Sequence, residues 1–210
     1  MMKTLPALTA ATLLLIVLAV LGAIGGPHAP FDVGTIISYS HWRIARPQLT
    51  QGLIWYTQLG GSLVLIPLGL VVAGLLWWRG RHRPALLLLA TTWTGRALIE
   101  LVKWLVDRPR PAFDPYPVMV SSKSFPSGHA GNSTLTYLAI ALFAVPERWR
   151  PQALAIAVLL AGTIGWSRPM LGVHWPTDVL GGWSLGLLWV GLWWWFSRRG
   201  ETAASDYSPA

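Results

Sequence analysis

Two histidines, two aspartates and several cations gather in three short stretches between residues 103 and 178. They read K-W-L-V-D-R-P-R-P over 103–111, F-P-S-G-H over 125–129 and S-R-P-M-L-G-V-H-W-P-T-D over 167–178. In the third stretch His174 and Asp178 are four residues apart, with Pro176 between them suited to a helix's first turn. If a helix starts there, Asp178 reaches back to one ring nitrogen of His174. A carboxylate accepting from Nδ1–H fixes the tautomer and leaves the Nε2 lone pair pointing outward. It also stabilises the cation formed when Nε2 attacks phosphorus. The same spacing fits an interfacial histidine beside a helix-capping aspartate, and taken alone it leaves both readings open.

The second stretch places Pro126, Ser127 and Gly128 just before an apolar run. Free N–H groups and the positive dipole end make helix N-termini ready phosphate sites. Gly128 lets backbone approach closely, the Ser127 hydroxyl adds a donor, and His129 lies where it can protonate a departing oxygen. A plain capped helix start would use the same residues. The first stretch supplies charge: Lys103 stands near the end of an apolar run, and Arg110 follows Pro109, which should stop the helix. Lysine gives a point charge and arginine a planar fork matched to phosphate oxygens, and Arg168 offers a second fork. Any one of these cations could simply snorkel at a membrane boundary. Three of them sharing a side with two histidines is harder to explain that way.

The elements that must hold these groups are apolar. Of 210 residues, 53% are hydrophobic and 11% charged, against roughly 25% charged in ordinary soluble domains. Such a surface must face lipid. Spans of about 20 apolar residues are expected at 5–24, 52–78, 84–106, 130–145, 151–166 and 176–196. The predicted fold is therefore all-α, a polytopic bundle of six transmembrane helices forming one domain over 1–199, with a disordered tail over 200–210. Lys3 before the first run also resembles a signal peptide, but Pro27 and Pro30 crowd the cleavage region and five spans follow, which favours a retained helix. The 16 Lys and Arg against 8 Asp and Glu lie at the ends of apolar runs, which suits topology signals and anionic lipid better than nucleic acid. With no cysteine, thiolate metal sites and cysteine nucleophiles are excluded.

Arg79, Arg81 and Arg83, then Arg148 and Arg150, then Arg198 and Arg199 fall with Lys3 on one side, which places both termini in the cytoplasm. The other side carries Arg43, Arg46, Arg108, Arg110, Lys123 and Arg168. A site for an anion accounts for that excess. Trp77, Trp78, Trp149 and Trp193 to Trp195 stand at the cytoplasmic boundaries, where indoles favour the interface. Arg96, Glu100 and Lys103 share one face of the third span, where Glu100 can pair with Arg96 or Lys103, orienting Lys103 or simply avoiding an unpaired charge, a pattern best read as structural support.

The three stretches resemble the tripartite signature of the type 2 phosphatidic acid phosphatase family, which also holds acid phosphatases and vanadium haloperoxidases. Lys103, Arg110 and Pro111 fill the first motif, Pro126, Ser127, Gly128 and His129 the second, and Ser167, Arg168, His174 and Asp178 the third. The resemblance implies that His174 is the nucleophile forming a phosphohistidine, Asp178 its support and His129 the general acid. It implies that Lys103, Arg110, Ser127, Gly128 and Arg168 hold the phosphate oxygens, with no metal and no cofactor. Membrane lipids and a lipid phosphate are then the partners; nothing in the residues points to an oligomeric state.

The expected protein is a membrane lipid phosphatase of the bacterial inner membrane, with its site on the periplasmic or extracellular side. Members it resembles act on undecaprenyl diphosphate, phosphatidylglycerol phosphate, phosphatidate or lipid A phosphate; the short chain and compact connections look bacterial, and the first two are the favoured expectation. A phosphotransferase passing the phosphoryl group to a second lipid would use the same motifs. A haloperoxidase would share the cradle but not the spans. A non-catalytic lipid-binding or transport protein would leave the set of nucleophile, acid and cradle unexplained.

Overall fold

The computed structural model describes residues 13, 17, 20, 21, 23–113, 117–120 and 122–205, the last six as backbone only. Every regular element among them is helical: α1 Pro30–Ala45, α2 Pro47–Thr57, α3 Ser62–Trp78, α4 His82–Val106, α5 Gly128–Ala139, α6 Arg150–Met170 and α7 Pro176–Ser205. Proline opens α1, α2 and α6, where its missing N–H and fixed φ cost nothing. Helix α4 stops at Val106 because Asp107 turns left-handed (φ 50°), its N–H bonding the Lys103 carbonyl, with Pro109 two residues on.

Four helical stretches are long and apolar enough to cross a membrane: Pro47–Trp78, His82–Val106, Glu147–Met170 and Pro176–Arg199. Their outward faces carry Leu63, Trp78, Trp104 and Leu159, all well exposed, as lipid contact requires. Most of the span expected at 5–24 lies outside the described residues. The run expected at 130–145 is α5 plus a π turn, Ile140–Ala144. Its Ser133, Thr134, Thr136 and Leu135 are buried, so this short helix is enclosed by its neighbours.

Four features differ from the sequence expectation. The span expected at 52–78 begins at Pro47 and breaks at a 3-10 turn, Gln58–Gly60, before Gly61 goes extended (φ −78°, ψ 156°). Two adjacent glycines are a weak point for a helix, and Gly60 is needed there, since a Cβ would lie 2.3 Å from Ile164. The polar connection after residue 25 contains α1, which packs on α6 and α7. Helix α6 runs past 166 to Met170, carrying Ser167 and Arg168 inside its last turn, and α7 continues past 196 to Ser205.

Helix α5 sits among α4, α6 and α7. Small residues set its approach to α7: a Cβ on Gly182 would fall 2.6 Å from the Ser127 carbonyl, and one on Gly186 2.8 Å from Thr134 Cβ. Such contacts let membrane helices pack by close backbone approach. Apolar clusters fill the rest, one built on Ile99, Leu135, Leu138 and Leu185, another on Leu76, Leu88 and Phe143.

The antiparallel run of helices sorts charge between the two ends. Arg81 donates to Ala144 and Phe143 carbonyls and Arg83 to the Ser197 carbonyl. Arg150 and Arg198 stack on Trp194, and Arg199 on Trp195. The opposite end gathers the end of α4, the start of α5, the end of α6 and the start of α7. All three motifs therefore meet at one end of the bundle.

Candidate active site

Helix α7 begins with Pro176, and Asp178 in its first turn accepts the Trp175 backbone N–H on Oδ2 (2.8 Å). That is half of a capping box. The same oxygen accepts from Ser124 Oγ (2.5 Å) and faces His174 Nδ1 at 3.3 Å. The capping and supporting roles that the spacing left open are thus held by one carboxylate at once. Its other oxygen, Oδ1, receives Arg108 Nη1 at 2.7 Å, both side chains being almost wholly buried.

His174 is 2% exposed and fixed from both ends. With Nδ1–H donating to Asp178, Nε2 keeps its lone pair, and Arg110 Nη1 donates to it at 3.0 Å. Burial pushes the His174 imidazole well below its ordinary pKa, and Arg110, Arg168 and Lys103 add to the effect by opposing a further positive charge. The ring is held neutral, the form that can act as nucleophile.

Arg110 is itself anchored to the Ser122 carbonyl (2.7 Å), Ser122 Oγ (3.1 Å) and the Val173 carbonyl (2.6 Å). Lys103, buried at the end of α4, donates to the same Ser122 hydroxyl at 2.9 Å. A Cβ on Gly128 would stand 3.5 Å from Lys103 Nζ, so the α5 N-terminus abuts this cation. Arg168 donates to Thr57 Oγ1 at 3.1 Å, while its buried Nε has no partner among the described residues. His129, second residue of α5, lies within electrostatic reach of Arg168, His174, Lys103 and Arg110. Ser127 is fully buried; its N–H bonds the Asp178 carbonyl (2.9 Å) and its Oγ faces the Ala130 N–H at 3.5 Å as the N-cap.

All eight residues singled out from the sequence thus come to one place. Several partners could not be read from it. Arg108 lies in the same stretch as Lys103 and Arg110, but spacing does not say which cation turns inward to Asp178. Ser122 and Ser124 sit in an irregular connection without a periodic signal. Asp32 is fully buried far upstream, accepting from Gly26 N–H (2.6 Å), Thr177 N–H (3.0 Å) and Thr177 Oγ1 (2.5 Å). The one available signal was an acid in the first turn after Pro30.

The family model of the PAP2 superfamily matches residues 84–201, which include every one of those eight positions. The chain belongs to the PAP2 superfamily. This PAP2 chain is 40% identical over 151 residues to phosphatidylglycerophosphatase B of Bacillus subtilis, covering 69% of the chain and 73% of that protein. It is 28% identical over 142 residues to an undecaprenyl-diphosphatase of Sulfolobus acidocaldarius, 64% of each being covered. Among solved structures it is similar to a transmembrane PAP2-type phosphatidylglycerolphosphate phosphatase from Bacillus subtilis. The TM-score is 0.76 at 33% identity, over 92% of this chain and 96% of that one. With its four apolar crossing helices, the PAP2 chain is a membrane protein.

Removing one partner of a buried ion pair leaves the other charge stranded, which costs about 3–5 kcal/mol, whereas exposed pairs contribute about 0–1 kcal/mol. Arg108→Leu should therefore lower thermal stability in detergent far more than Lys123→Ala, which breaks the exposed Lys123–Asp107 pair. Equal melting shifts for the two variants would contradict a structural grip of Arg108 on Asp178.

Proposed function

We propose that this PAP2 chain is a lipid phosphatase working through a phosphohistidine on His174. The observation that carries the reading is the fixed imidazole, with Nδ1 toward Asp178 (3.3 Å) and Nε2 beside Arg110 (3.0 Å). Nε2 attacks phosphorus and the bond from phosphorus to the leaving oxygen breaks; His129, protonated once the bound phosphate's negative charge offsets the surrounding cations, gives that oxygen its proton. Water then attacks the phosphohistidine, passing a proton to His129 and releasing phosphate and free His174.

Lys103, Arg110, Arg168 and the α5 N-terminus at Ser127 and Gly128 hold the phosphate oxygens and offset the charge that builds in the transition state. For this, Arg110 exchanges His174 Nε2 for a phosphate oxygen, and Arg168 Nε, without a partner among the described residues, offers a further donor. These cations do what a divalent ion does in other phosphoryl transfers, and the reaction needs no metal or cofactor.

The bundle crosses the bacterial inner membrane six times, the first run and α5 joining the four long apolar stretches. The end rich in Arg81, Arg83, Arg150, Arg198 and tryptophan faces the cytoplasm with both termini, and the site faces the periplasm or exterior. A lipid presents its phosphate there while its tail stays in the bilayer. Phosphatidylglycerol phosphate and undecaprenyl diphosphate are the favoured substrates, in keeping with the names of the relatives.

Purified in detergent, His174→Ala should lose phosphate release from these lipids by about 10³-fold or more while staying folded and monodisperse. Retention of full activity would rule out His174 as nucleophile. Wild-type activity should persist in excess chelator; a loss reversed by adding Mg²⁺ would refute the metal-free cradle.

A further inference from the structure

Asp32 has no task in the mechanism above, and it lies outside the residues 84–201 that the family model matches. It is nonetheless wholly buried, in the first turn of α1. A carboxylate in such a place needs partners. The groups that bond it all donate: the Gly26 N–H (2.6 Å), the Thr177 N–H (3.0 Å) and Thr177 Oγ1 (2.5 Å). Three donors suit the ionised form. The Thr177 N–H is one of the free donors in the first turn of α7, so Asp32 caps, from α1, the helix that begins beside His174. Capping explains the N–H contact but leaves the hydroxyl contact without a reason.

That hydroxyl leads on to His174. Arg108 Nη1 lies 2.9 Å from Thr177 Oγ1 and 2.7 Å from Asp178 Oδ1. A guanidinium can only donate, so Thr177 Oγ1 accepts from Arg108 and its single hydrogen goes to Asp32. One line of hydrogen bonds thus runs from Asp32 through Thr177, Arg108 and Asp178 to His174 Nδ1, and all five residues are buried. The backbone closes over it: a Cβ on Gly25 would fall 2.0 Å from Thr177 Oγ1 and 2.9 Å from Arg108 Nη1.

Charge along the line adds to its geometry. Arg108 with Asp178 alone is a neutral pair, with little left over to stabilise a cation on His174. A second carboxylate, one hydroxyl away from the same guanidinium, gives the group one net negative charge. Burial leaves that charge weakly screened. It becomes most favourable when the His174 ring turns cationic on phosphorylation.

We infer that Asp32 is a positioning residue for the nucleophile. Through Thr177 and Arg108 it keeps the Asp178 carboxylate directed at His174 and able to support the charged phosphohistidine. The inference rests on the phosphatase reading and adds to it a residue from outside the three motifs. Asp32 itself touches neither the substrate nor the reacting atoms.

The test uses the purified full-length chain in rapid-quench reactions with phosphatidylglycerol phosphate and undecaprenyl diphosphate, each labelled in its terminal phosphate. The rate constant and the amplitude of phosphohistidine formation are measured in wild type, Asp32→Asn, Thr177→Val and Thr177→Ser. Loss of the charged acceptor in Asp32→Asn should lower the rate constant, and kcat with it, by about 10- to 100-fold, with KM within about threefold. Thr177→Val cuts the line but keeps the Asp32 charge and should lose about 3- to 10-fold, which Thr177→Ser recovers. A merely structural Asp32 would change the number of competent molecules: amplitude and melting temperature fall while the rate constant stays at the wild-type value. That result, or a loss carried by KM, would overturn the positioning role. If Asp32→Asn does not fold, the Thr177 pair decides, and equal rate constants in Thr177→Val and Thr177→Ser would overturn it. Wild type that releases phosphate from neither lipid, or releases it without phosphohistidine, would overturn the reading on which the inference rests.

Discussion

The Asp178 carboxylate is wholly buried at the start of α7, and the rest of the site is arranged by what grips it. Arg108 neutralises one oxygen; Ser124, the Trp175 N–H and His174 Nδ1 converge on the other. A buried carboxylate is tolerable only when paired and hydrogen-bonded in this way. The grip joins three separate parts of the chain: the segment after α4, the segment before α5 and the loop between α6 and α7. The same contacts that make the charge tolerable therefore fix the tautomer and direction of His174. Behind this point Thr177 ties to Asp32 and Arg108, so the first turn of α1 closes the far side of the same network.

A second constraint comes from the backbone. Gly182 on α7 lies against the Ser127 carbonyl, and Ser127 in turn bonds the Asp178 carbonyl. The start of α5, where the bound phosphate would sit, is thereby fixed to the start of α7, beside His174, the proposed nucleophile. Because α4 and α6 run opposite to α5 and α7, two helix ends bring side-chain cations to the place where two helix starts bring N–H groups. An all-helical bundle thus brings helix dipoles and guanidinium groups together at the proposed phosphate site.

The site was legible in the sequence where chemistry constrains residue type. His174, Asp178, His129 and the three cations stand at spacings that few other roles would demand, and they meet as expected. What supports them was not legible. Arg108 and Arg110 are two residues apart with the same side chain; only the left-handed turn at Asp107 and the path after it send one to Asp178 and the other to His174. Ser124 and Asp32 act across dozens of residues of intervening chain, where no periodicity operates. Of the fold, the long apolar runs located α4 and α6 within about four residues and the start of α7, whose end lies nine residues beyond the expected 196. Helix α1 was missed because its composition is mixed and its helicity depends on packing against α6 and α7, and the break at Gly60 depends on contact with Ile164 and His129.

The central claim is that phosphate passes through His174, and trapping the intermediate tests it most directly. Purified protein would be mixed with a lipid labelled in its terminal phosphate, quenched in base within milliseconds, digested and analysed by mass spectrometry. The account predicts a base-stable, acid-labile phosphoryl group on the peptide holding His174, absent from His174→Ala and lost on a chase with unlabelled lipid. Turnover with no phosphoryl group on that peptide, or with the label on His129, would contradict it.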